Sequence, residues 1–335
     1  KNEVVKMKEL NWGIMSTASI ARKHIIPAIQ QVRNNKIGAI ASRSKPKAKK
    51  MADNFNIKKV YDSYAQLIND DELDIIYIPL PNTFHKEWTI KALEKKKHVL
   101  CEKPLGIDAA EVKEMIEKSK KENQILMEGF MYRYQPFIYK LKKLIQNEIG
   151  ELRFLDINLC YKSTRPSDDI RFNKSVGGGS LYDVGCYTVD LARLIMGEKP
   201  KEVYNTFDRI GKNKVDHTGK ALLRYENDVT VKLTYSFNSF AHKDFTAVGS
   251  QGKVIVKDLF EWFPEDDRTI ELITDDQYEI FTFKAKNPYV LEIEGIYDHI
   301  INQKALPEDL NASLNNMIII DHLFESAQKN TPVKL

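Results

Sequence analysis

Trp12-Gly13-Ile14-Met15-Ser16-Thr17-Ala18-Ser19-Ile20-Ala21 runs from an apolar segment through a turn of small residues into an amphipathic one. Residues 12–15 read as a buried strand and residues 19–31 as a helix. Moving outward, the alternation repeats. Strands are predicted at 37–41, 75–78, 98–101 and 125–128, with helices at 46–55, 83–96 and 111–123 between them. Strands alternating with helices build βαβ units and a parallel, doubly wound α/β sheet.

After Gly150 the period changes. Across 228–238, Val229, Val231, Leu233, Tyr235 and Phe237 fall on one face, and Asp228, Thr230, Lys232, Thr234, Ser236 and Asn238 on the other. Period two marks an antiparallel strand with one apolar face. Residues 152–161, 203–210, 220–225, 245–248 and 253–256 read similarly, with turns at 226–228 and 249–252. The expectation is a Rossmann-type domain over 1–128. An α+β domain with a large, mostly antiparallel open-faced sheet follows over 129–335, and the closing helix at 310–328 packs back on the first domain. The apolar face of the alternating strand must meet its own helices or a second subunit.

At 335 residues the chain exceeds what one hydrophobic core usually serves. Its net charge is only +4, and its lysines interleave with acids, as in Lys113-Glu114, Glu117-Lys118 and Lys121-Glu122. That pattern argues against a nucleic-acid footprint. No run approaches a membrane span, and the lysine-rich start lacks the apolar core of a signal peptide. The three cysteines, Cys101, Cys160 and Cys186, are odd in number and widely spaced, against a disulfide framework or a metal site. A cytoplasmic protein is the expectation, with no metal, nucleic-acid or membrane partner.

In a Rossmann fold the first βα turn brings backbone to a pyrophosphate at a helix N-terminus. Against G-x-G-x-x-G/A this chain reads Ser16, Ala18 and Ala21, without the first two glycines. Ser16, Thr17, Ala18, Ser19 and Ile20 are the candidate phosphate contacts. The second strand ends in Ser42 and Arg43, with Lys47 close behind, where an NAD-preferring fold would carry Asp or Glu. A hydroxyl and a guanidinium suit a ribose 2′-phosphate, so NADP is favoured, with NAD possible. Leu80, Pro81, Asn82 and His85 leave the strand at 75–78, and Glu102-Lys103-Pro104 ends the strand at 98–101. Ligands of open α/β sheets bind beyond such strand ends.

Together with Glu128-Gly129-Phe130-Met131-Tyr132-Arg133, these motifs resemble the glucose–fructose oxidoreductase/inositol dehydrogenase/MocA family. The run Gly177-Gly178-Gly179-Ser180-Leu181-Tyr182-Asp183-Val184-Gly185-Cys186-Tyr187 and the endings Asn287-Pro288-Tyr289 and Ser313-Leu314-Asn315-Asn316-Met317 add to the resemblance. It implies NAD(P) and substrate held between two domains, and dimers or tetramers formed through the open sheet. It matches the family's lysine to Lys103 and its helix-borne aspartate to Asp183. Where the family commonly has His, this chain has Tyr187, as do the dihydrodiol and xylose dehydrogenase branches. Asp183 and Tyr187 are spaced i, i+4, so both can face one side of a helix.

Alcohol–carbonyl oxidoreduction needs a group that moves the hydroxyl proton while the cofactor moves the hydride. Tyr187 serves if an ammonium such as Lys103 lowers its phenol pKa, or Lys103 is itself the donor; the spacing leaves both open. Asp183 would accept a substrate hydroxyl, and Arg133 would line the substrate pocket or bridge the domains. The leading expectation is an NADP-dependent oxidoreductase acting on a sugar, polyol or vicinal diol. Competing readings are an enzyme with NAD as resident redox cofactor, as in glycoside cleavage by oxidation and elimination, and a non-catalytic NADP-sensing regulator. Arg165 and Arg171, before the glycines, keep acidic or phosphorylated substrates in play.

Overall fold

A computed structural model describes residues 8–210, 215–260 and 267–335. The lysine-rich start lies outside the described residues. The chain forms two compact units, neither continuous in sequence. The first comprises residues 1–105, 111–134 and 288–310, and the second 106–110, 135–287 and 311–335. A single division at 128/129 was expected.

The first unit holds six parallel strands: β1 (Leu10–Met15), β2 (Asn35–Ala41), β3 (Lys59–Tyr61), β4 (Ile75–Ile78), β5 (His98–Glu102) and β6 (Leu126–Gly129). Their order is β3-β2-β1-β4-β5-β6, that of a doubly wound dinucleotide-binding sheet. Every residue of β1 and β4 is buried, as parallel strands covered on both faces require. The helix after β1 contains a π turn (Ala21–Ile25), in which Ile26 N–H donates to the Ala21 carbonyl, and continues as α1 (Ile26–Gln31). There follow α2 (Lys45–Phe55), α3 (Tyr64–Ile68), α4 (His85–Glu94) and α5 (Ala109–Glu122).

Past α6 (Pro136–Asn147) in the second unit come β7 (Leu152–Lys162), α7 (Cys186–Met196), β8 (Glu202–Ile210), β9 (Val215–Arg224) and β10 (Thr230–Ser236). Next are β11 (Asn238–His242), β12 (Phe245–Gly249), β13 (Gly252–Val256), β14 (Arg268–Thr274) and β15 (Tyr278–Phe283). Helix α8 (Pro288–Asn302) then returns to the first unit, while α9 (Leu310–Lys329) and β16 (Val333–Lys334) stay in the second. The sheet runs β15-β14-β13-β12-β7-β10-β9-β8-β16, with β11 also on β7. It is antiparallel except where β7 pairs parallel with β10.

One expectation changes, and one of two expected alternatives is taken up. The closing helix does not join the first unit: Ser326 of α9 accepts from Asn205 N–H of β8 at 3.0 Å, and Asn316 reaches the Cys186 carbonyl of α7. The helix that returns is α8, whose buried Tyr289, Ile293, Ile296 and Tyr297 pack on the turn Met131–Tyr134 and on α1. The apolar face of β10 is also settled within one chain. Val231, Leu233 and Tyr235 are fully buried, and β10 packs under the segment leading into α7. The other face keeps Lys232, paired with Asp156, beside Phe154 and Leu222, which are 46% and 48% exposed. Among the described residues no helix is long and apolar enough to cross a membrane. The three cysteines are buried and form no disulfide.

Candidate active site

The candidate residues of the first unit begin in the turn after β1. Ser16 adopts φ 88°, a left-handed conformation that favours glycine, which is why the fingerprint has glycine there. Its hydroxyl accepts from Ala18 N–H at 3.2 Å, and its own N–H bonds the Ala41 carbonyl of β2 at 2.7 Å. Arg22 N–H to the Ala18 carbonyl precedes the π turn. Ser19 and Ile20 are helical and lead into it, and Thr17, two residues before Ser19, is half-buried. Small side chains at a helix N-terminus fit a phosphate group. At the end of β2, buried Ser42 accepts from Ser44 N–H, and exposed Arg43 hydrogen-bonds the Tyr64 hydroxyl. Lys47 is exposed near the start of α2.

Lys103 leaves β5 from a braced strand end. Tyr77 on β4 donates to Glu102 Oε1 at 2.6 Å. His85 Nδ1 stands 2.9 Å from the Pro104 carbonyl and Nε2 2.8 Å from the Leu80 carbonyl, and the neutral ring donates to one of them. Leu105 N–H donates to Glu128 Oε1 at 2.9 Å. His85 was expected in a structural or cofactor-edge role. Its ring is fully buried, burial pushes its pKa down, and it ties the ends of β4 and β5 together. Leu80 is buried beside half-buried Pro81 and Asn82. Arg133 is buried with its guanidinium 4.4 Å from the Phe130 ring centre.

In the second unit, a π turn (Leu181–Gly185) carries Asp183 and runs directly into α7, whose second residue is Tyr187. Asp183 is more constrained than its spacing implied. Arg171 Nε donates to its Oδ1 at 3.1 Å and the Tyr161 hydroxyl to its Oδ2 at 3.0 Å. Arg171 also reaches Asp169 at 3.2 Å, so two carboxylates hold this guanidinium charged. Burial and the Asp183 charge push the Tyr161 phenol up. Tyr187 is buried, its ring 6.1 Å from that of Phe260. Asp190, one turn on, is fully buried against Arg193 at 3.0 Å.

Sequence reasoning missed what seats this segment. Buried Asp216 on β9 accepts from Ser180 Oγ at 2.7 Å and from Leu181 N–H at 2.6 Å, capping the π turn. A Cβ on Gly179, at φ 127°, would stand 2.3 Å from Asp216 Oδ1, and one on Gly178 would meet three carbonyl oxygens within 2.8 Å. Tyr161, at the end of β7, was equally invisible as a partner for Asp183. Polar residues at strand ends were the available signal, and nothing in their spacing points to Asp183. Lys103 lies in the first unit, and Asp183 and Tyr187 in the second. Among the described residues, no His, Cys, Asp and Glu cluster could hold a metal.

Residues 10–130 match the model of an oxidoreductase family with an NAD-binding Rossmann fold, and residues 138–255 match the GFO/IDH/MocA C-terminal domain. A D-xylose 1-dehydrogenase (NADP(+)) of Haloferax volcanii is 33% identical over 97% of this chain and 99% of that protein. A trans-1,2-dihydrobenzene-1,2-diol dehydrogenase of Xenopus tropicalis is 31% identical over 76% of each. Among solved structures, a 3-ketoreductase from Actinomadura kijaniata in complex with NADP and TDP-benzene superposes with a TM-score of 0.90. It is 26% identical and covers 95% of this chain and 98% of that one.

Proposed function

The chain belongs to the Gfo/Idh/MocA family of NAD-binding oxidoreductases, and from that premise we propose that it is an NADP-dependent dehydrogenase or reductase of an uncharged sugar, polyol or vicinal diol. The observation that carries the cofactor reading is the end of β2, where Ser42 and exposed Arg43 stand with no carboxylate among residues 41–50. The xylose dehydrogenase and the 3-ketoreductase, named with NADP, agree with it.

The cofactor supplies the hydride acceptor or donor. Ser16 to Ile20 hold its pyrophosphate, Ser42, Arg43 and Lys47 its 2′-phosphate, and Leu80, Pro81, Asn82 and Glu102 flank it near the β4 and β5 ends. Lys103 and Tyr187 move the substrate hydroxyl proton. Asp183 orients Tyr161 and Arg171, and each of its oxygens keeps a lone pair for a substrate hydroxyl. Arg133 shapes the substrate side from the first unit. An uncharged substrate is favoured because Arg171 is already neutralised by Asp169 and Asp183. The exposed sheet face bearing Phe154 and Leu222 is the surface through which copies would pair, and light scattering at the monomer mass of 38.7 kDa would remove that part.

Titration with NADPH and NADH, followed by nicotinamide fluorescence, tests the reading first. Arg43→Ala is expected to weaken NADPH by about 10- to 100-fold, the worth of one charge-assisted contact, and NADH hardly at all. Equal losses for both cofactors would overturn the 2′-phosphate assignment. Binding of neither by wild type would overturn the enzyme reading. D-xylose, other pentoses, hexoses and trans-diols are then assayed with NADP.

A further inference from the structure

Segment 106–110 follows the β5 end that carries Lys103, yet it belongs to the second unit, while the chain on either side of it belongs to the first. Two side chains of the second unit hold it. The Tyr182 hydroxyl donates to the Ile107 carbonyl at 2.6 Å. Asp321 on α9 accepts from Ala109 N–H at 2.8 Å, which sets a carboxyl on the first N–H of α5, where the helix dipole favours negative charge. The Tyr182 ring lies 4.9 Å from that of Phe324, three residues after Asp321 on α9, and Phe324 is backed by Phe207 of β8 at 6.0 Å.

We propose that Tyr182 is a positioning residue: its hydroxyl seats segment 106–110, the chain leaving Lys103, on the turn that carries Asp183. The inference rests on the reading of Lys103 and Asp183 as working groups of the reaction. Successive residues of that turn are pinned by different elements. Leu181 N–H is held by Asp216 of β9, the Tyr182 hydroxyl by Ile107, and the Asp183 carboxylate by Arg171 and by Tyr161 of β7. Of these, Tyr182 holds the segment whose chain runs back, four residues earlier, to Lys103. Its acceptor is a main-chain carbonyl, so the bond restrains backbone rather than one side chain. Glu128 braces the chain as far as Leu105, and the second unit takes it from Ile107, with Gly106 between the two sets of bonds. Losing the hydroxyl therefore loosens the chain from Gly106 onward and leaves the β5 brace intact.

Tyr182→Phe keeps the ring on Phe324 and removes the hydroxyl alone. Amide hydrogen exchange, read by peptide mass spectrometry, should quicken in residues 106–110 by about 3- to 10-fold, the change expected on losing one hydrogen bond. Strands β12 to β14 should exchange as in wild type. Asp321→Ala should quicken the same segment by removing its other anchor. In Tyr182→Phe, kcat should fall by about tenfold, as a small misplacement near reacting groups does, with KM and NADPH affinity within about twofold of wild type.

Exchange in 106–110 that Tyr182→Phe leaves unmoved would overturn the tether. Faster exchange spread through β12 to β14 would overturn it equally, since that is general loosening. Faster exchange confined to 106–110 with kcat unchanged would overturn the positioning role and leave a bond of structure only. Exchange needs no substrate. A wild-type chain that oxidises no sugar or diol would defeat the functional reading, while the exchange result still decides the tether.

Discussion

Lys103→Met is expected to lower kcat for sugar or diol oxidation by about 10²- to 10⁴-fold, the usual worth of a positioned proton-transfer group, with NADPH affinity within a few fold of wild type. Tyr77, His85 and Glu128 brace the strand end through Glu102, Pro104 and Leu105, so truncating the Lys103 side chain leaves the brace intact. Lys103→Arg then separates the two assignments left open by the sequence. A guanidinium keeps the positive charge but does not release its proton at working pH. If Lys103 acts only through its charge on the Tyr187 phenol, Lys103→Arg retains much of the rate and Tyr187→Phe is as damaging as Lys103→Met. If Lys103 carries the proton itself, Lys103→Arg is as inactive as Lys103→Met. Unchanged kcat in Lys103→Met would remove Lys103 from the chemistry.

Asp216→Ala is expected to cost roughly 3 kcal/mol of stability, because it leaves the Ser180 hydroxyl and the Leu181 N–H buried without their acceptor. That corresponds to a fall in Tm of roughly 6–12 °C. The loss should reach function as well. Those two bonds seat the π turn that carries Asp183 and feeds into Tyr187, so kcat should fall in the variant that remains folded at assay temperature. NADPH binding, a property of the first unit, should not change. Asp216→Asn keeps an acceptor for Leu181 N–H and should sit between wild type and Asp216→Ala in both measurements. A melting temperature unaffected by Asp216→Ala would show that the cap contributes nothing.

These two positions were unequally legible. Lys103 stands in Glu102-Lys103-Pro104 at the end of a strand whose apolar run is plain, and both local pattern and family motif point to it. Asp216 opens a strand that was expected only from residue 220, and its partners lie 35 and 36 residues away. Tyr161 and Arg171 bind Asp183 across 22 and 12 residues. No periodicity reports such a pairing, because it depends on where two strand ends arrive. Helix α8 was missed for a related reason. It follows the antiparallel strands in sequence, yet its apolar face is covered by the first unit.

What the amino-acid sequence by itself determined was local and periodic. Fully buried runs and 3.6-residue amphipathic stretches dictated parallel strands and covering helices, and period-two alternation dictated the second sheet. The residue types at the β2 and β5 ends set the chemistry available there. Only the tertiary structure decided that the apolar face of β10 is covered by its own helices and that Asp183 is held by Arg171 and Tyr161. The reason is physical. Burial and charge coupling depend on distance in space, and residues far apart in the chain become neighbours only once the chain has closed around them.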